Sequence, residues 1–118
     1  MSELSDVVVY TADIEGSLGF YRVLLSWPIV ERGGDYAILS NGESRLILHH
    51  SHEAESSQVP RSDVALKPVF TIGRETFSLL ARDGRSIGDF GHFSDETWDY
   101  YNAIDPDGNV LGLKIPHL

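Results

Sequence analysis

The chain has 118 residues, of which 42% are hydrophobic and 23% charged, and its 18 acidic against nine basic side chains give a formal net charge of −9. This length suits one domain with a real core, and the composition lies far from the low-hydrophobicity, high-charge signature of disorder. The absence of cysteine excludes disulfides and thiolate metal sites, while the acidity argues against nucleic acid and for a neutral or cationic ligand.

Met1 to Asp6 is polar and acidic, unlike a secretory leader, and no later apolar run reaches membrane-spanning length. The expectation is a cytoplasmic protein with no membrane association. Asp6 to Thr11 reads as a buried strand because Val7, Val8 and Val9 supply consecutive β-branched side chains. Asp13 is placed as a helix N-cap. From Ile14, apolar residues at Leu18, Tyr21 and Leu25, widened by Phe20 and Leu24, make one helical stripe, and Pro28 is expected to end it. Pro28 to Glu31 and Tyr36 to Ser40 read as strands around Gly33-Gly34-Asp35. Asn41-Gly42 marks a tight turn before a strand at Arg45 to His49.

Residues 51–63 are polar and read as a connector. Beyond it, Leu66 to Ile72 is strand-like, and Glu75 to Asp83 carries Phe77, Leu80 and Ala81 at helical spacing, with Gly84 suited to the position past the helix end. Ile87 to Trp98 is a glycine-rich and aromatic stretch. Asp99 to Ile104 then reads as a strand, Asp105-Pro106-Asp107-Gly108-Asn109 as a turn, and Val110 to Ile115 as the last strand. The order β-α-β-β-β occurs twice. It predicts an α+β fold over residues 1–118, built from βαβββ modules at about 5–50 and 64–118. Each module alone would leave a sheet face without a partner, so the modules, within one chain or across two, are expected to share a curved mixed sheet with helices outside. Its inner face would form a cup for a small ligand.

Two stretches carry a family resemblance: Ala12-Asp13-Ile14-Glu15-Gly16-Ser17-Leu18-Gly19-Phe20-Tyr21 through Leu25, and Asp105-Pro106-Asp107-Gly108-Asn109-Val110-Leu111. With the element order, they resemble the vicinal-oxygen-chelate superfamily of glyoxalases, bleomycin-resistance proteins and extradiol dioxygenases, with Ser26 where that family usually has glycine. The resemblance implies a homodimer. It covers metal-dependent isomerases, epimerases, thiol transferases and dioxygenases as well as metal-free drug-binding proteins.

For the metal-dependent members the resemblance implies four ligand positions, which fall here on Asp6, Ile47, Lys67 and Gly112. Isoleucine and glycine offer no donor atom and lysine stays protonated, so only Asp6 can ligate, and the expectation is neither metal nor other cofactor. His49 is the one candidate to join Asp6. His50 and His52 beside it read as a solvated loop edge.

Strand alternation puts Asp6, Val8, Tyr10, Arg45, Ile47, His49, Lys67, Val69, Tyr100, Asn102, Gly112 and Lys114 on the inner face. From these and the aromatic Trp98, the expected ligand-binding set is Asp6, Tyr10, Arg45, His49, Lys67, Trp98, Tyr100, Asn102 and Lys114. Trp27, Tyr36, Phe90 and Phe93 are further aromatic candidates for the rim. No nucleophile, base and orienting group fall together, so no catalytic residue is assigned. The predicted function is metal-independent binding or sequestration of a small organic molecule, as in bleomycin-resistance proteins. The alternative is a metal-dependent glyoxalase-like lyase, isomerase or dioxygenase with non-standard ligands.

Overall fold

A computed structural model describes residues 2–52, 66–83 and 87–117, the side chains of 83 and 87–93 excepted. The fold divides into two compact units, Met1–Ser56 and Ser57–Leu118, and their boundary falls within the polar connector.

The first unit runs β1 (Asp6–Thr11), α1 (Ile14–Leu25), β2 (Ile29–Arg32), β3 (Tyr36–Ser40) and β4 (Arg45–His50). Its sheet order is β1-β4-β3-β2, with β1 parallel to β4 and the other pairs antiparallel. The run of β-branched and leucyl side chains gives strands whose alternate residues meet the helix. Val9 and Thr11 of β1, Ala37 and Leu39 of β3, and Leu46 and Leu48 of β4 are buried together with Ser17, Leu18, Tyr21 and Leu24 of α1. Buried hydroxyls there satisfy each other, Thr11 Oγ1 lying 2.6 Å from Ser17 Oγ. Gly42, at φ 94°, turns the chain between β3 and β4, while Asn41 Oδ1 accepts the amides of Glu43 and Ser44 at 2.9 and 2.8 Å.

Two details of this unit differ from expectation. Asp13 has the extended backbone of an N-cap but makes no side-chain cap bond; its amide instead donates to Thr11 Oγ1 at 3.1 Å. The helix also ends before Pro28. Ser26 takes the left-handed conformation, φ 56° and ψ 25°, and returns its amide to the Arg22 carbonyl at 3.0 Å.

The second unit repeats the plan with β5 (Val69–Thr71), α2 (Arg74–Asp83), β6 (Ile87–Ser94), β7 (Trp98–Ile104) and β8 (Val110–Pro116). Its order is β5-β8-β7-β6, and β5 is again parallel to β8. Leu111, Leu113 and Ile115 of β8, Ala103 of β7, Ile72 and Leu80 are buried, and Phe77 of α2 packs on Tyr101 with centroids 4.5 Å apart. Ala81, expected in the stripe, is exposed. β5 is shorter than expected because Leu66 to Pro68 precede the paired residues, although the Pro68 carbonyl still accepts the Gly112 amide at 2.8 Å. The glycine-rich stretch forms a full strand, β6, whose pairing with β7 shifts register between Ile87 and His92. Gly84 and residues 53–65 of the connector lie outside the described residues.

The Asp105 turn before β8 is internally satisfied. Asp105 Oδ1 accepts the amides of Asp107 and Asn109 at 2.9 and 2.8 Å, and Oδ2 accepts Asn109 Nδ2 at 2.9 Å. Both Asp105 and Asp107 are buried. Among the described residues no helix is long and apolar enough to cross a membrane.

Candidate functional site

In each unit the helix covers one sheet face and the expected ligand-binding residues stand on the other. In the first unit, the register β1–β4–β3 stacks three rows on the face turned away from α1: Asp6 and Arg45 with Ser40, Val8 and Ile47 with Ile38, and Tyr10 and His49 with Tyr36. Val8 and Tyr10 are 47% and 59% exposed, which is high for apolar strand residues and leaves this side accessible.

Arg45 grips Asp6 with a two-pronged bond, Nε to Oδ1 at 2.7 Å and Nη2 to Oδ2 at 3.1 Å. The planar guanidinium matches the carboxylate edge to edge. Hydrogen bonding to Arg45 is the main cause that holds the Asp6 carboxyl below the usual range, and Asp6 raises the Arg45 guanidinium in return. At the other end of the strands, the Tyr10 and His49 rings meet edge to face with centroids 5.9 Å apart, and His49 Nδ1 donates to the His50 carbonyl at 2.9 Å. The expected meeting of His49 with Asp6 does not occur. Asp6 pairs with Arg45 while His49 pairs with Tyr10, a separation of four strand positions or roughly 13 Å. Tyr36 donates to Glu31 at 2.6 Å, and that bond raises its phenol.

In the second unit, the face turned away from α2 carries Lys67, Val69 and Thr71, then Gly112 and Lys114, then Trp98, Tyr100 and Asn102. The register aligns Val69 with Gly112 and Asn102, and Thr71 with Lys114 and Tyr100. Lys67 Nζ donates to Asn102 Oδ1 at 3.0 Å, and Lys114 Nζ sits 4.1 Å from the centroid of the Trp98 ring. Burial is the first cause that raises the Tyr100 phenol, followed by the charge of Asp95. The side chains of Phe90 and Phe93 lie outside the described residues.

Two features here escaped the sequence reading. Asp95 Oδ1 accepts the amides of Thr97 and Trp98 at 2.9 and 2.7 Å; these bonds, Trp98 first, lower its carboxyl and fix the turn that presents Trp98. Aspartate two and three residues before those amides is the local signal for such a turn. On the helix side, Asp99 accepts from Ser94 at 2.6 Å, His117 at 2.9 Å and Arg74 at 3.1 Å. No local pattern announces this cluster, whose members come from β6, β7, α2 and the segment after β8.

No family model and no curated protein matches the chain. Solved structures do. A glyoxalase/bleomycin resistance protein/dioxygenase family enzyme from Burkholderia phytofirmans PsJN superposes with TM-score 0.71 at 19% identity, over 98% of this chain and 99% of that one. The chain has the vicinal-oxygen-chelate fold. A lactoylglutathione lyase from Agrobacterium tumefaciens gives 0.66 at 16% identity over 98% and 94%. A glyoxalase/bleomycin resistance protein/dioxygenase from Alicyclobacillus acidocaldarius gives 0.65 at 18% over 98% and 92%.

The vicinal-oxygen-chelate fold implies a divalent ion for some of its members, and the four positions do not fit one. Asp6 is engaged by Arg45, Ile47 has no donor atom, and Lys67 brings a positive charge. At Gly112 even a Cβ would lie 2.8 Å from Val69 Cγ2, so a longer ligating side chain requires Val69 to move. Among the described residues no group of three or more histidine, aspartate or glutamate side chains is placed to hold a metal.

Proposed function

We propose that this protein binds a small organic molecule without a metal ion, on the sheet faces turned away from the helices. The observation that carries the reading is the Arg45 fork on Asp6. It commits the single ligating side chain of the four positions to a guanidinium. A metal at Asp6 would have to displace Arg45 and gather its remaining ligands from isoleucine, lysine and glycine. Each face by itself offers aromatic area with oriented polar groups instead, Tyr10 with His49 on the first and Trp98 and Tyr100 with Asn102 and Lys67 on the second, the usual makings of an organic binding surface.

Thermal-shift screening of aromatic and charged compounds, run with and without EDTA, tests this directly. A ligand at 100 times its Kd stabilises the native state by about 2.7 kcal/mol, and the shift should be the same in both conditions. Stoichiometric metal in the purified protein, lost on Asp6→Ala together with ligand binding, would refute it in favour of a metal-dependent enzyme. We extend the reading to a homodimer, and sedimentation at twice the chain mass is the expected result.

A further inference from the structure

The net charge of −9 favours neutral or cationic ligands, but the second unit's ligand-side face has the opposite local character. Lys67 and Lys114 both stand on it, and among the described residues neither has an ion-pair partner. Lys67 rests on a neutral amide and Lys114 on an indole ring. Asp99 belongs to the other face, as alternation along β7 requires. Asp95, at the hairpin end, already accepts two amide N–H groups and hydrogen-bonds Tyr100.

The geometry at Lys67 is that of a donor pair. Its side chain reaches from the segment before β5 across β8 to Asn102 on β7, and Gly112, which lies between Val69 and Asn102 in the register, puts no side chain in the way. An ammonium only donates, so the amide must turn its oxygen to Lys67. That leaves the Asn102 Nδ2 hydrogens as donors beside the remaining ammonium hydrogens. The two donor groups are held side by side, since the bond joining them is 3.0 Å.

Resting on the small-molecule reading above, we propose that Lys67 and Asn102 bind the carboxylate group of an organic ligand, one oxygen on the ammonium and one on the amide. A carboxylate accepts two such bonds at once, and a charged acceptor strengthens both. Two positions tested for a metal, 67 and 112, thus serve a site in which a lysine supplies the positive charge.

Benzoate, benzamide and benzamidine present the same ring with an anionic, a neutral and a cationic head, and NMR titration of the full chain with each is the test. Benzoate should bind most tightly, with an affinity that falls as sodium chloride rises. Lys67→Met keeps the apolar stem and should weaken benzoate roughly tenfold, a loss of about 1.4 kcal/mol, and flatten the salt dependence. Lys67→Arg should retain most of both, and the amide spectra of the two variants report directly that they fold. If benzamide or benzamidine binds as well as benzoate, or Lys67→Met leaves benzoate binding unchanged, the carboxylate assignment is overturned while the small-molecule reading stands. Inorganic phosphate binding in place of benzoate would likewise overturn it. If none of the compounds binds, the carboxylate assignment is overturned, and the thermal-shift screen still decides the small-molecule reading.

Discussion

Gly112 offers a sharp test of how tightly the face of the second sheet turned away from α2 is packed. Replacing it with alanine places a Cβ 2.8 Å from Val69 Cγ2 and 3.4 Å from Val69 Cβ and Cγ1, inside the normal carbon–carbon separation of about 3.5–4.0 Å. Overpacking of this kind costs about 1–3 kcal/mol. The backbone offers no objection, since Gly112 is not among the positive-φ residues, and losing a strand glycine returns about 0.5–1 kcal/mol. Val69 is 52% exposed and has room to shift, which puts the steric cost in the lower half of its range. The net expectation for Gly112→Ala is a loss of about 1 kcal/mol. In a Val69→Ala background the clash disappears and the same substitution should stabilise by about 0.5–1 kcal/mol, a coupling of about 1.5–2 kcal/mol between two touching residues. Urea unfolding of the four proteins at constant m-value measures this. If Gly112→Ala stabilises equally in both backgrounds, Val69 does not close that position and the steric part of the metal argument falls.

Ser26 is the one described non-glycine residue at positive φ, so Ser26→Gly should raise stability by about 0.5–1 kcal/mol in the same urea assay. Asp105→Ala removes three accepted hydrogen bonds from a buried turn and should cost about 2–4 kcal/mol, read as a lowered urea midpoint. Hydrogen bonds from Ser94, then His117, then Arg74 hold the Asp99 carboxyl well below the ordinary 3.8. A depressed carboxyl contributes stability that is fully present above its unfolded value and is lost as pH falls through the folded one. The acid limb of the Tm–pH profile below about pH 4 should therefore be shallower in Asp99→Asn, whereas an unchanged limb would show that the cluster does not report on folding.

The strands were legible in the sequence where short runs of β-branched and leucyl side chains lie between turn residues, as at Val7 to Val9 and Leu46 to Leu48. β6 was not, because Gly88 and Gly91 interrupt the alternation and the strand needs a register shift to pair. The apolar stripe of α1 ends with the helix at Leu25, but what stops it is the left-handed Ser26, at the position where the resemblance has glycine, rather than Pro28. Asp13 has the residue type and extended backbone of an N-cap but makes no cap bond, while its own amide is taken by the buried Thr11 hydroxyl. The register places Asp6, Tyr10, Arg45, His49, Tyr100, Asn102 and Lys114 on the sheet faces that alternation predicts, and Lys67, which precedes β5, reaches its face by the bond to Asn102. Alternation could not give partners. Asp6 and Arg45 are 39 positions apart, and only the β1–β4 register decides that Asp6 meets arginine and leaves His49 to Tyr10. The reach of Lys67 across β8 depends on the same kind of long-range pairing.

Among the described residues, the first strand of each unit is hydrogen-bonded only to the last, and this bears on the order of events during synthesis. Asp6 is made 39 residues before Arg45, the first of the β4 residues that β1 pairs with. Through that interval β1 is a nascent edge with three successive valines exposed, the kind of segment that chaperones hold and that aggregates when they do not. Once β4 emerges, every described pairing of the first sheet lies within residues 6–50, so that sheet can close while the second is still being translated.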